Sequence, residues 1–84
     1  MTEDDLRKIL YQLLKKIAPD TEPDNLKPED NIRHVLGIDS FDYLSFIVAL
    51  DEELGIQTPE EDYGKIVTLK ALMAYIFEKK KATK

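Results

Sequence analysis

The amino-acid sequence predicts an all-α fold: a four-helix bundle with three longer helices, one short third helix and a long first loop. Three observations carry that expectation. Apolar residues recur at helical spacing in three separate stretches, helix start and stop signals stand at their ends, and no stretch alternates apolar and polar residues as a half-buried strand would. All 84 residues are expected to form one domain, with residues 79–84 as a frayed basic tail.

The first helix opens at Thr2-x-x-Asp5, a capping box with Asp in the place of the usual Glu. Leu6, Ile9, Leu10, Leu13, Leu14 and Ile17 then fall on one face, and Pro19 closes the helix because it lacks an amide hydrogen. A connection from about Pro19 to Asp39 follows, too rich in apolar residues for a free linker. Leu26, Ile32, Val35, Leu36 and Ile38 are its expected anchors to the core, with a short helical turn near Asn31 to Leu36. The second long helix begins at Asp39-Ser40 after Gly37 and runs to Leu54, where Gly55 supplies a left-handed stop. Thr58-Pro59-Glu60-Glu61 reads as an N-cap, a first-turn proline and a capping-box glutamate, so a short third helix is expected, ended by Gly64. The last helix starts at Thr68, carries Leu69, Leu72, Met73, Ile76 and Phe77 inward, and ends on Lys79, Lys80 and Lys81, which suit the negative end of its dipole.

A chain of this length cannot enclose a deep catalytic cleft beside a structural core, so a carrier or interaction module is the matching size. Its longest apolar run, Phe46 to Leu50, is far short of the roughly 18 residues of a membrane span. The opening Met1-Thr2-Glu3-Asp4-Asp5 has neither the basic start nor the apolar stretch of a secretory signal, and a cytoplasmic location is expected. There is no Cys, so the polypeptide offers no thiol nucleophile and no thiolate metal site; any thioester chemistry must borrow its sulfur. The net charge of −5 argues against nucleic acid. Between Val35 and Gly64 stand eight acids and no Lys or Arg, so partners of that region should be basic.

The helix from Ser40 to Leu54 has more apolar surface than one face needs. At 100° per residue, Tyr43, Ile47, Leu50 and Leu54 form one stripe with Phe46 at its edge, which suffices for the core. Phe41, Leu44 and Val48 form another, rotated roughly 90° from it. Either this stripe packs under the long loop, or it is a docking patch flanked by Glu52, fitted to an apolar groove edged with Arg and Lys.

Gly37-Ile38-Asp39-Ser40-Phe41-Asp42 places a serine in the first turn, where unpaired amides and the helix dipole favour a negative group. Spacing alone reads Asp39 or Ser40 as an N-cap. The stretch resembles the acyl carrier protein signature, in which a glycine is followed two residues later by an aspartate and then by the modified serine. The resemblance continues through Ala49-Leu50-Asp51-Glu52-Glu53-Leu54-Gly55-Ile56, Pro59-Glu60-Glu61-Asp62 and Lys65-Ile66-Val67-Thr68, and so covers essentially the whole chain. It implies a non-catalytic carrier. A holo-synthase, a phosphopantetheinyl transferase, would attach 4'-phosphopantetheine from coenzyme A to Ser40 with help from Asp39, and the arm's thiol would hold acyl groups as thioesters for fatty-acid, lipid or polyketide-type biosynthesis. The resemblance further makes Asp42, Asp51 and Glu52, beside Phe41, Leu44 and Val48, the contacts to basic patches on acyl-transferring or acyl-modifying enzymes, and implies a monomer. Two positions depart from the pattern: Phe41 stands where leucine is usual, and Ser45 where fatty-acid carriers commonly have glutamate. A specialised carrier serving a dedicated acyl pathway is therefore favoured.

Other readings are weaker on the residues. A serine hydrolase lacks the glycine-serine-glycine elbow and has only His34 as base, and the acid runs lack calcium-loop spacing. An aminoacyl or peptidyl carrier is the nearest alternative, followed by an unmodified helical adaptor using Phe41, Leu44 and Val48. Leaving a CH₂ in water costs about 0.8 kcal/mol, so an acyl chain is expected to shelter between the Ser40 helix and the last helix, beside Phe46, Ile47, Met73 and Ile76.

Overall fold

In the computed structural model, which describes residues 2–82, α1 spans Glu3–Ile17 and opens with the expected capping box. The Asp5 amide donates to Thr2 Oγ1 at 3.1 Å and the Thr2 amide donates back to Asp5 Oδ2 at 3.3 Å. That backbone hydrogen bond from Thr2, more than any other contact, holds the Asp5 carboxyl below its ordinary pKa. Leu6, Leu10 and Leu14 are fully buried, and Ile9, Leu13 and Ile17 pack at the edge of the core. The helix ends one residue before Ala18, ahead of Pro19.

The long connection is tied down. A 3-10 turn at Pro23–Asn25 buries Pro23 and is followed by buried Leu26, and α2, Ile32–Leu36, is capped by the Asn31 side chain. Backbone bonds then stitch the segment before α2 to the start of the last helix: Ile32 N to Val67 O at 2.9 Å, Leu69 N to Asp30 O at 3.2 Å and Lys70 N to Pro28 O at 2.7 Å. Of the five expected anchors, Leu26, Ile32, Leu36 and Ile38 are buried. Val35 is not: it is 50% exposed. In a five-residue helix, the Ile32 and Leu36 pair at i, i+4 takes the inward face, and Val35 is left on the outer one.

Gly37, at φ 66°, closes α2 in the left-handed conformation that other residues resist, and the chain turns directly into α3, Ser40–Leu54. Gly55 closes α3 in the same way at φ 68°. After it the sequence expectation fails in detail. Thr58 caps no helix: its hydroxyl and amide donate to the two carboxylate oxygens of Asp51, at 2.7 and 3.0 Å. The segment that follows is a 3-10 helix, Glu60–Lys65, with Pro59 before it and Gly64 inside it rather than at its end. A tertiary partner seven residues back has captured the capping group, and the chain settles for the tighter, shorter helix.

The last helix, α4, spans Leu69–Ala82, with the Ala71 amide donating to Thr68 Oγ1 at 3.1 Å. Lys79, Lys80 and Lys81 lie in its last turn, as expected of the helix end, and residues 83 and 84 of the expected tail lie outside the described residues. The Lys80 ammonium donates to the Leu54 carbonyl at the end of α3, at 3.1 Å. Leu69, Leu72, Met73 and Ile76 join Tyr43, Phe46, Ile47, Leu50 and Leu54 of α3 and the leucines of α1 in one core. Within it the Tyr43 hydroxyl donates to the Ile66 carbonyl, so the buried phenol has a partner, and burial raises its pKa well above the ordinary value.

Candidate functional site

Ser40 is the first residue of α3 and its side chain is exposed. It owes that place to its neighbours. Asp39 takes the N-cap, its Oδ1 accepting from the Asp42 amide at 2.8 Å, which leaves Ser40 free of capping duty. The amides at the very start of the helix still lack intrahelical partners, so a phosphate ester on Ser40 Oγ would meet donors and the positive end of the dipole.

Beside Ser40 lies an open groove of about 350 Å³, walled by Phe41 and Leu44 from α3 and by Glu60 and Tyr63 from the 3-10 helix. The second apolar stripe is at the surface: Phe41 is 76% exposed, Leu44 40% and Val48 47%. Val35, in α2, is the other exposed large apolar residue among those described. Among the acids expected to dock partners, Glu52 is exposed and Asp42 half-buried. Asp51 is half-buried and already occupied by Thr58, so it serves the fold first.

The four residues expected to shelter a cargo sit in the packed core. Phe46, Ile47 and Ile76 are fully buried and Met73 nearly so, and none of them lines the groove at Ser40. Met73 borders a different hollow, shared with Arg7, Pro28, Lys70 and Phe77 between α1 and α4. Conversely, sequence reasoning missed Glu60 and Tyr63 as neighbours of Ser40. Their i, i+3 spacing was the available signal, because such residues share a face of a helix.

The wall they form is held from behind. Asp62 Oδ2 accepts from the Tyr75 hydroxyl of α4 at 2.8 Å, and Asp62 Oδ1 pairs with Lys65 at 3.3 Å. The Tyr75 bond, reinforced by Lys65, depresses the Asp62 pKa below its ordinary value. Partial burial, with the Asp62 bond next, pushes Tyr75 up to about 12. No helix among the described residues is long and apolar enough to cross a membrane.

The site thus consists of an exposed serine at the head of a helix that presents both apolar and acidic side chains. The family model described as "Phosphopantetheine attachment site" matches residues 4–76 of the chain. An acyl carrier protein from Chlorobium luteolum is 35% identical over 94% of this chain and all of its own length, and one from Chlorobium phaeobacteroides is 34% identical over the same shares. Among solved structures, the acyl carrier protein of Enterococcus faecalis superposes with a TM-score of 0.70 at 31% identity, covering 94% of this chain and 99% of that one. The chain belongs to the acyl carrier protein family, whose cofactor is 4'-phosphopantetheine.

Proposed function

We propose that this protein carries acyl groups on a phosphopantetheine arm attached to Ser40, and that it performs no catalysis itself. The observation that carries the assignment is the position of Ser40: an exposed hydroxyl on the first turn of α3, inside the matched family region, opening onto an apolar groove. The residues fit such a group. The first-turn amides favour its phosphate, and Phe41, Leu44 and Tyr63 give apolar surface to whatever hangs from it. When attached, the group supplies the thiol that a chain without Cys lacks, and with it a thioester for the cargo.

Asp39 holds the start of α3 in the geometry that presents Ser40 and faces the holo-synthase with its remaining carboxylate oxygen. Phe41, Leu44 and Val48, with Glu52 on the flank, form the surface that partner enzymes read. Their apolar grooves carry a basic rim, because this stretch of the chain holds acids and no Lys or Arg. The cargo begins in the groove at Ser40; a long alkyl chain goes deeper only by parting Phe46, Ile47, Met73 and Ile76. The protein works as a monomer in the cytoplasm. Phe41 in place of leucine and Ser45 in place of glutamate fit a carrier dedicated to one acyl route.

Incubation with coenzyme A and a promiscuous pantetheinyl transferase, followed by intact-mass measurement, tests the assignment. The wild type gains one phosphopantetheine and Ser40→Ala gains none. An unchanged wild-type mass, or labelling of Ser40→Ala, overturns it.

A further inference from the structure

The groove beside Ser40 has two unlike walls. The α3 wall belongs to a helix whose other face is fully packed in the core. The opposite wall, Glu60–Lys65, buries none of its own residues. Buried apolar side chains flank it, Ile56 before and Ile66 after, and Tyr63 packs only partly against the core, so the ends of the segment are anchored more firmly than its middle.

The other contacts that hold the middle are polar, and the 3-10 geometry divides them by face. With three residues per turn, Glu60 and Tyr63 project together, and both line the groove. Asp62 and Lys65 project together on another face, paired with each other at 3.3 Å, and there Asp62 meets the Tyr75 hydroxyl of α4 at 2.8 Å. Tyr75 is itself steadied, with the Lys79 ammonium 5.4 Å from its ring centre. On the N-terminal side the Asp51 to Thr58 pair fixes the point from which the segment departs. Elements with few buried apolar contacts open locally at low cost.

We propose that Glu60–Lys65 is a hinged wall of the Ser40 groove and that the hydrogen bond from Tyr75 to Asp62 is the latch that sets how wide the groove stands. Latched, the groove admits a slender group between Phe41 and Tyr63; released, it admits a bulky one. Tyr75 touches neither Ser40 nor the groove. It is a positioning residue acting through Asp62, and it tunes which cargo head groups find shelter. The reading of the groove as a cargo site rests on the carrier function proposed above, whereas the latch itself does not.

The test uses two substitutions that keep side-chain shape. Tyr75→Phe removes only the hydroxyl, and Asp62→Asn keeps an acceptor while weakening it. Amide hydrogen exchange on the unmodified protein should quicken about tenfold from Glu61 to Lys65 in Tyr75→Phe, and less in Asp62→Asn, with the interior amides of α1 and α3 unchanged. Loading the dansyl conjugate of coenzyme A onto each protein then reads the groove. Dansyl emission should shift to shorter wavelength in Tyr75→Phe relative to wild type, as the two-ring group leaves water. Unchanged exchange removes the latch. Exchange that rises equally in α1 and α3 makes Tyr75 an ordinary core residue, and faster local exchange without an emission shift cuts the link to groove width; each overturns the proposal. If coenzyme A adds no mass to the wild type, the Ser40 assignment fails instead, and the exchange comparison on unmodified protein still decides the latch.

Discussion

α1 and α3 are each 15 residues long, start on a side-chain cap and pack against each other, yet they divide their apolar residues differently. α1 turns Leu6, Leu10 and Leu14 inward, keeps Ile9, Leu13 and Ile17 at the core's edge, and gives its remaining surface largely to charged residues. α3 buries Tyr43, Phe46, Ile47, Leu50 and Leu54 and still presents Phe41, Leu44 and Val48 to solvent. One helix is matched to the core; the other exceeds it. A surplus of this kind has no stabilising role within the monomer, since exposed apolar area returns nothing until something covers it. The contrast teaches that a candidate docking face of a small bundle can be located by subtracting what its core requires.

The sharpest way to break that contrast uses two phenylalanines on the same helix. Phe46 is fully buried and Phe41 is 76% exposed. Phe46→Ala should lose about 3–5 kcal/mol in urea denaturation, whereas Phe41→Ala should stay within about 0.5 kcal/mol of wild type and show its effect in slower transfer by partner enzymes. Equal losses would mean that the outer stripe is core after all. A smaller effect separates the cap from the carrier role: Asp39→Ala should lose about 1 kcal/mol by leaving the Asp42 amide without its acceptor. If stability is unmoved, Asp39 is not holding the start of α3. Smallest of all, Glu52→Lys should change stability by under about 0.5 kcal/mol, yet weaken partner binding, and the wild-type affinity should fall as salt is added. Affinity indifferent to both charge and ionic strength would remove the acidic contribution to docking.

The parts of this molecule that could be read from sequence are those decided by neighbours along the chain. The Thr2 to Asp5 box, Asn31 to Leu36, Asp39 to Gly55 and the start at Thr68 all rest on contacts three or four residues apart, and all stand where expected. Errors came where a distant partner intervened. Thr58 looked like a cap until Asp51 claimed it, and the same bond took Asp51 out of the set of free surface acids. Val35 departs from its expected place in the core because a five-residue helix is too short to display a period. Of the geometry around Ser40, the start of α3 at Asp39 and Ser40 and the second apolar stripe were legible. Glu60 and Tyr63, which reach Ser40 from some twenty residues away in the chain, and the bond from Tyr75 to Asp62 behind them depend on how the elements pack, which no local pattern encodes.

Because Ser40 opens α3 and Glu52 lies on the same uninterrupted helix, the chain also carries a fixed measure of length. At about 1.5 Å of rise per residue, the twelve steps between them set the Ser40 hydroxyl and the Glu52 carboxylate roughly 18 Å apart along the axis. An enzyme that grips the acidic end must therefore open its entrance at that offset, whatever reaction it performs. Inserting one residue between the two would lengthen the interval by only about 1.5 Å but swing one end about 100° around the axis relative to the other. Enzymes of unrelated chemistry that dock on both points would be held to this common spacing.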